Sequence, residues 1–405
     1  MKNIWQNKIF IYKMYRIDPI NIWIFYVFII GILIIVWAIY KKKNPLPGTK
    51  PINWVLTTQD NTANTNILYS SDGENYNDIQ GQLLETMFSG AYGLTEDKKN
   101  FIWLVGADSN QVSYSYNANT WITNTTILAE NRDTDYGYDA DGNSRWLATG
   151  STLVSTDPSQ IFSSDGIVWQ NCTGASFNVS GYAIKYGRDF TDTGVWVATG
   201  QDTGGGNNNI LYSFDDMVWK VSDGVSFTGT GDIYGNSIDY GTSSDRETPR
   251  WVTVGTGSFN MLYSDNGISW NYCTGASFSE GGTGNDVAFG RTIENNPMWV
   301  VAGGNPDINP NTLLYSYDGV SWDVCTGASF AGGYGYAVNF GKNNEDQFFW
   351  VAIGSDDGDI PAGKLLFSFD GISWFIKNED FSQITSENSY ILSNILSQSS
   401  ETIFD

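Results

Sequence analysis

The side chains that most often catalyse reactions are unevenly represented in this 405-residue chain. It has no histidine, 44 acidic residues and 21 basic ones, which give a net charge of −23. The absence of histidine excludes Ser-His-Asp and Cys-His nucleophiles as well as His-ligated metal sites. A chain this acidic also repels phosphates, so we expect no nucleic-acid partner. Any acid–base chemistry would have to use carboxylates.

Carboxylates recur in the segments that follow successive apolar runs of the chain. If these loops converge, they form an acidic ring that captures a cation or a basic partner; the alternative is that loops are simply rich in Asp, Asn and Gly. The run SDDGD at 355–359 has calcium-like spacing but lacks the bidentate Glu of an EF-hand loop. We predict no cofactor and no metal site, with Ca²⁺ as the alternative. The predicted ligand-binding residues are Asp60, Asp108, Asp157, Asp202, Asp307, Asp356, Asp357 and Asp359.

The N-terminal region predicts a membrane anchor. Residues 20–40 are 21 residues without a charge, roughly 31 Å of helix, which is enough to cross a bilayer core. Their length and the lack of a small-x-small cleavage site argue against a signal peptide. We predict a tail over 1–19, a transmembrane helix over 20–40 and a linker over 41–53. Lysines flank both ends of the helix, so the side of the membrane stays undecided.

Seven similar segments of about 50 residues follow. Each starts with Trp and an apolar run, and continues to a turn of the form S-x-D-G-x-x-W. Four short strands per segment predict an all-β fold, a seven-bladed antiparallel β-propeller over 54–405. The first segment lacks its own first strand, and we expect residues 390–395 to supply it and close the ring. The turns centre on Asp72, Asn117, Asp165, Asp215, Asn266, Asp318 and Asp370, and the closing aromatics are Tyr76, Trp121, Trp169, Trp219, Trp270, Trp322 and Trp374.

This turn resembles the Asp-box of the bacterial-neuraminidase-repeat, sialidase-like propellers, and the regular repeats are also similar to propellers of giant DNA viruses. The resemblance implies that the box is structural, with its Asp accepting backbone N–H bonds and its Trp packing between blades. A sialidase of this kind would need three Arg, a Tyr/Glu pair and an acid/base Asp on the face opposite the boxes. Only Arg132 of the body's arginines is expected on that face, so we predict no sialidase activity.

The three cysteines, Cys172, Cys273 and Cys325, occupy one position of a repeated word, CTGASF in each case. Equivalent positions in a ring of repeats lie beyond the ~7 Å Cα separation that a disulfide tolerates. We therefore expect free, buried thiols. Free thiols favour a reducing compartment, whereas the Asn-X-Ser/Thr triplets at Asn124, Asn171 and Asn178 favour a lumenal or extracellular one, and the sequence leaves this conflict open.

Together these features predict a membrane-anchored, non-catalytic binding or structural module for a protein or glycan partner. The alternative is a membrane-bound, glycan-active hydrolase that uses loop carboxylates.

Overall fold

The computed structural model divides into two compact units, Met1–Pro51 and Ile52–Asp405. The residues that the structure describes all belong to the second unit. They are 54–59, 67–72, 77–78, 87–95, 100–154, 157–202, 209–229, 231–279, 281–305, 311–343, 345, 347–356, 363–376 and 391–397.

The first finding corrects the predicted membrane anchor. The described residues form strands, turns and bends, and contain no helix. None of them belongs to a helix long and apolar enough to cross a membrane. The tail, helix and linker predicted over 1–19, 20–40 and 41–53 lie outside the described residues. The predicted fold class with a transmembrane helix, and the single-pass membrane localisation drawn from it, are therefore wrong for the part of the chain that the structure describes.

The strands of the first three repeats follow the sequence segments closely. Repeat 1 has β1 (Trp54–Gln59), β2 (Ile67–Ser70) and β3 (Asn77–Asp78). Repeat 2 has β4 (Met87–Leu94), β5 (Phe101–Ala107), β6 (Gln111–Ser115) and β7 (Ile122–Thr125). Repeat 3 has β8 (Leu128–Tyr138), β9 (Ser144–Thr152), β10 (Gln160–Ser163), β11 (Gln170–Asn171) and the short β12 (Thr173–Gly174).

The later repeats each have four main strands, and repeats 4 to 6 add a fifth, two-residue strand like β12. Repeat 4 has β13 (Ser180–Arg188), β14 (Gly194–Gln201), β15 (Ile210–Ser213), β16 (Val218–Val221) and β17 (Asp223–Gly224). Repeat 5 has β18 (Gly235–Thr242), β19 (Pro249–Gly255), β20 (Met261–Ser264), β21 (Ser269–Tyr272) and β22 (Thr274–Gly275). Repeat 6 has β23 (Thr283–Arg291), β24 (Pro297–Gly304), β25 (Leu313–Ser316), β26 (Ser321–Val324) and β27 (Thr326–Gly327). Repeat 7 has β28 (Tyr334–Lys342), β29 (Phe348–Ser355), β30 (Gly363–Ser368) and β31 (Ser373–Ile376), and β32 (Ile391–Ser397) follows.

The sheet arrangement corrects the predicted seven-bladed propeller. Hydrogen bonds divide the described strands into six sheets of four, nine, five, five, five and four strands. Repeats 3 and 4 share the nine-stranded sheet because Ser151 of β9 pairs with Ser180 of β13. The all-β character was predicted correctly, but seven separate four-stranded blades are not what the hydrogen bonds define.

The C-terminal strand joins the first repeat. β32 pairs antiparallel with β1, with Trp54 opposite Ser397, and it also contacts β28 and β4. The first strands of the repeats therefore contact one another in cyclic order, from β4 through β8, β13, β18, β23, β28 and β32 back to β4. The Trp54 indole N–H donates to the Lys342 carbonyl at 3.0 Å, which ties repeat 1 to repeat 7.

Glycine and aromatic residues bring the first strands together. Each first strand of repeats 2 to 7 contains an aromatic residue followed by Gly. A Cβ on Gly241 would lie 2.2 Å from the Phe289 ring, and one on Gly290 would lie 2.3 Å from the Phe340 ring. Only glycine therefore lets the ring of the next repeat pack against the strand. The second-strand Trp residues, such as Trp299 and Trp350, are completely buried between repeats.

Candidate functional site

The Asp-box side chains form hydrogen bonds within their own turns. The Asp318 carboxylate accepts bonds from the Ser316 hydroxyl at 2.9 Å and from the N–H groups of Val320 and Ser321 at 2.8 Å each. Asn266 makes the same set of bonds through its amide oxygen, which explains why Asn replaces Asp there. Burial raises the pKa of the box carboxyls, but these donors outweigh it, so the pKa values of Asp165, Asp318 and Asp370 lie below the ordinary value.

One turn has Asp216 directly after its central Asp, where the other turns have Gly or Ala, and the structure shows how an Asp fits there. The residue after the box Asp has a left-handed backbone, with φ of 71° at Gly319. Asp216 holds φ of 61° at the equivalent position and is only 1 % exposed. Its carboxylate pairs with Arg145 Nε of the preceding repeat at 2.8 Å. Burial nevertheless raises the Asp216 pKa to about 7.

The structure describes four of the eight predicted ligand-binding residues, so the acidic ring stays a prediction. Asp60, Asp307, Asp357 and Asp359 lie outside the described residues, and so does part of the 355–359 run. Asp108, Asp157 and Asp202 lie in the described connections, and Asp356 pairs with Lys364 Nζ at 3.0 Å. Among the described residues, no group of three or more acidic or thiol side chains is placed to hold a metal ion. The closing aromatic Tyr76 likewise lies outside the described residues.

A second set of acids, which the sequence analysis missed, lies on the first strands. Asp133 accepts the Ile184 N–H at 2.8 Å and Asp135 accepts the Tyr186 N–H at 2.7 Å. In the same way, Asp239 accepts the Phe289 N–H and Asp286 accepts the Val338 N–H of the next first strand. We call Asp133, Asp135, Asp239 and Asp286 the inner carboxylates. Their signal in the sequence is their distance from the aromatic–Gly pair. Asp135 and Asp239 stand one residue before the aromatic residue, and Asp133 and Asp286 stand three residues before it.

Lys185 is a basic residue that pairs with two of the inner carboxylates. Its ammonium lies 3.1 Å from the Asp239 carboxylate and 3.6 Å from that of Asp135. Burial opposes its charge, but the two carboxylates dominate and raise the pKa of Lys185 well above the ordinary value. Burial likewise raises the pKa of Asp135, and it raises that of Asp286 to about 7 although Ser237 and backbone N–H groups donate to it.

The first strands share a β-bulge near their beginning. The register shifts at this point in each first strand from β4 to β28. A bulge changes the direction in which a side chain points. The bulge residues differ in type between repeats, and they are Phe88 with Ser89, Arg132, Tyr182, Asn236, Asn285 and Tyr336. Asn236 and Asn285 donate to carbonyls of the next first strand.

The bulge residues of repeats 2 to 4, with Tyr234 of repeat 5, form a continuous stack that we call the Arg132 row. The Arg132 guanidinium lies 5.1 Å from the centroid of the Phe88 ring and 4.8 Å from that of Tyr182. The Tyr182 and Tyr234 rings stack at 4.8 Å with an angle of 22°. Cation–π contacts and ring stacking thus link four consecutive repeats through one row of side chains.

Polar groups flank the Arg132 row. Arg132 pairs with Glu130 at 2.6 Å, and both side chains remain about a third exposed, at 28 % and 34 %. The Tyr182 hydroxyl donates to Gln201 at 3.3 Å, and the Gln201 amide donates to Asp232 at 3.3 Å. Burial raises the pKa of Tyr182 above its ordinary value. The row therefore offers half-buried rings, a cation and carboxylates, with the Gln201 amide buried beside them, which suits binding better than bond breaking.

The cysteines are free, as predicted, but only Cys172 is buried, whereas Cys273 and Cys325 are partly exposed. Their thiols donate to the carbonyls of Asp216, Gly319 and Gly371 in the turns of the next repeats. Burial raises the pKa of each thiol to about 12. At neutral pH they are not thiolates, so they are unsuited to nucleophilic or metal chemistry.

Comparisons with known proteins define no family for this chain. No protein-family model and no curated protein matches it. Among solved structures, a putative 6-phosphogluconolactonase from Bacteroides uniformis has a TM-score of 0.46 and 10 % identity, covering 85 % of this chain and 98 % of that one. Virginiamycin B lyase from Staphylococcus aureus has a TM-score of 0.44 and 8 % identity, covering 70 % of this chain and 92 % of that one. At these TM-scores the similarities carry no argument about function.

Proposed function

We propose that this protein is a non-catalytic binding module and that the Arg132 row is its partner-binding surface. The observation that carries the proposal is the row itself, in which a bulge shared by the first strands aims side chains of different types into one stack. The row contains Phe88, Arg132, Tyr182 and Tyr234. At the box turns most repeats keep Ser, then Asp or Asn, and then Trp at equivalent positions. The variation at the bulge therefore marks a surface adapted to something other than folding.

A glycan is the partner class that suits this surface best. Sugar rings present apolar C–H faces next to hydroxyl groups, so they match aromatic rings that lie beside hydrogen-bonding side chains. At the Arg132 row, Tyr182 and Tyr234 supply the rings. Glu130, Gln201 and Asp232 supply acceptors and donors. A protein partner with an aromatic or basic contact residue is the other class to test.

The carboxylates described so far favour binding over catalysis. The box aspartates are occupied by turn donors, and the inner carboxylates accept N–H groups from neighbouring strands. A general acid or base must be free to exchange a proton with a substrate within hydrogen-bond distance. Acids that support the backbone in this way are poorly placed for that task.

A glycan array and calorimetric titration of the full chain test the proposal. Arg132→Ala and Tyr182→Ala should each weaken binding of any glycan hit by about tenfold or more, because each breaks the stack. Arg188→Ala, at the other end of β13, and Tyr116→Ala, which is 53 % exposed in a box turn, are matched controls and should bind normally. Equal binding by all four variants would contradict the proposal, and so would the absence of binding to glycan and protein libraries.

A further inference from the structure

Short extended segments cover the outer edges of repeats 4 to 7. β12 pairs in parallel with β16, β17 with β21, β22 with β26 and β27 with β31, and each short strand comes from the preceding repeat. In the first of these pairs, the Thr173 N–H donates to the Met217 carbonyl and the Ala175 N–H to the Trp219 carbonyl, both at 2.8 Å. The segment thereby satisfies backbone groups that an outer strand would leave exposed.

Each covering segment requires a glycine above the box Trp. Gly174 has φ of +92°, and a Cβ on it would lie 2.4 Å from the Trp219 carbonyl oxygen. Gly224, Gly275 and Gly327 have the same conformation and a carbonyl at 2.3–2.6 Å. A side chain at this position would be strained and would also collide with the backbone beneath it. The four segments therefore show that an extended strand fits on the outer strand of a repeat when it has glycine above the box Trp.

The outer edge of repeat 3 lacks such a segment in the described part of the chain. β11 is the terminal strand of its sheet. In repeat 2 only residues 126 and 127 separate β7 from β8, and the Thr126 N–H bonds to the Asn110 carbonyl of its own repeat at 2.8 Å. The Asn124 side-chain amide reaches across and donates to the Ile167 carbonyl at 2.9 Å. Ile167 is the residue that corresponds to Met217.

The uncovered edge exposes groups that the other repeats protect. β11 pairs with β10, and the Cys172 N–H donates inward to the Gln160 carbonyl. Because alternate residues of an antiparallel strand point their backbone groups to opposite sides, Trp169 and Asn171 face outward. Trp169 is less buried than Trp219, which is 2 % exposed. Its neighbour Val168 is 63 % exposed.

We propose that the outer edge of repeat 3, Trp169 to Asn171, is a docking site for an extended segment of a partner protein. The segment adds to β11 as a parallel strand, with a glycine above the Trp169 backbone and small residues on either side of it. Main-chain hydrogen bonds supply the attraction and the glycine requirement supplies the selectivity, as in other cases of strand addition. This site is separate from the Arg132 row, so it goes beyond the proposed function.

Peptide binding to the full chain tests the proposal. The probe is a fluorescein-labelled peptide with the sequence of residues 170–178 and Ser in place of Cys, and the control peptide has Ala in place of its Gly. Fluorescence anisotropy should show saturable binding of the probe and about tenfold weaker binding of the control peptide. Asn171→Pro removes an outward N–H without breaking the ladder to β10, and it should weaken probe binding by a similar factor. Val221→Pro, at the equivalent position of the covered repeat 4, should leave binding unchanged.

Three results would overturn the proposal. They are no binding of the probe, equal binding of both peptides, and full binding by a folded Asn171→Pro variant. If that variant does not fold, a benzophenone-labelled probe on the natural chain decides the question. Crosslinks to residues 167–171 support the docking site, whereas crosslinks elsewhere contradict it. A dimer of the chain whose interface maps to β11 would assign the edge to a second copy and would also overturn the proposal.

Discussion

The two ends of the repeats are built on different principles. At the box-turn end, six described turns repeat one set of hydrogen bonds with Asp or Asn at the centre. At the bulge end, the backbone feature repeats but the side chains change from Phe88 to Arg132, Tyr182 and Asn236. The side chains that repeat at the box turns stabilise the fold. The bulge side chains vary on a backbone that repeats, so they can be adapted to bind a partner.

This contrast predicts that substitutions at the two ends have different consequences. At the turn end they should lower stability, since those side chains accept bonds from backbone N–H groups that are half-buried or lie in tight turns. At the bulge end they should change binding and leave stability largely intact. The variants below probe this contrast, from the largest expected effect on the free energy of unfolding to the smallest.

Arg250→Ala should have the largest effect. Arg250 is 7 % exposed, pairs with Asp265 at 2.7 Å and donates to the Asp318 carbonyl in the turn of the next repeat. Solvent screens the ion pair because the Asp265 side chain is 38 % exposed. The variant also loses the hydrogen bonds that the buried guanidinium donates to the Ser243 hydroxyl and the Asp318 carbonyl, which together cost about 3–5 kcal/mol. Urea unfolding of the variant measures this loss. The control is Arg246→Ala, an exposed arginine of the same connection, which should unfold like the natural chain. Similar midpoints for the two variants would contradict a structural role for the turn end.

Asp318→Ala should cost less, about 1–3 kcal/mol, because it leaves the turn N–H groups of Val320 and Ser321 without their acceptor. Asp318→Asn is the matched control, since Asn266 already performs this role in repeat 5. Thermal unfolding should place the Asn variant close to the natural chain and the Ala variant clearly below it. If both variants lose equal stability, the negative charge and not the acceptor geometry holds the turn.

The sequence predicted the box end better than the bulge end, for physical reasons. The hydrogen bonds of Asp318 join residues two or three positions apart, so the short motif alone is enough to predict the turn. The Arg132 row joins side chains of four repeats, and its members Phe88, Arg132 and Tyr182 share a strand position but no residue type. The two-residue β12 and the single Ser151–Ser180 pair that merges two repeats are too short to leave a periodic signal. The loop acids, including Asp108 and Asp202, were predicted from their positions after successive apolar runs, and that pattern gives no distance between one loop and the next.

Between the two ends, the inner carboxylates should make stability depend on pH. The pKa of Asp286 is raised from its ordinary 3.8 to about 7, so the folded chain binds a proton there that the unfolded chain releases. Its contribution to stability is complete below about pH 4 and is lost as the pH rises through 7. Asp286→Asn keeps an acceptor for the Val338 N–H and removes the titration. Relative to the natural chain, the variant should therefore gain on the order of 1–3 kcal/mol between pH 5 and pH 8.

Urea unfolding at the two pH values measures that difference. Asp239→Asn is a poor control, because it also removes the partner of Lys185, so Asp323→Asn on the outer strand β26 is preferable. A pH dependence that Asp286→Asn leaves unchanged would mean that the Asp286 carboxylate is ionised in the folded chain like an ordinary surface acid.

Arg132→Ala should have the smallest effect on stability, about 1 kcal/mol or less. Its ion pair with Glu130 is partly exposed, and such pairs contribute little because solvent screens them. The contacts with Phe88 and Tyr182 add a similar small amount. The same variant should reduce partner binding by about tenfold, so the ratio of lost binding to lost stability should be far greater than for any box variant. Unfolding of Arg132→Ala alongside Asp318→Ala gives this ratio directly. If Arg132→Ala destabilises the chain as strongly as Arg250→Ala, the Arg132 row mainly stabilises the contact between repeats. The contrast between the two ends would then no longer indicate a binding surface.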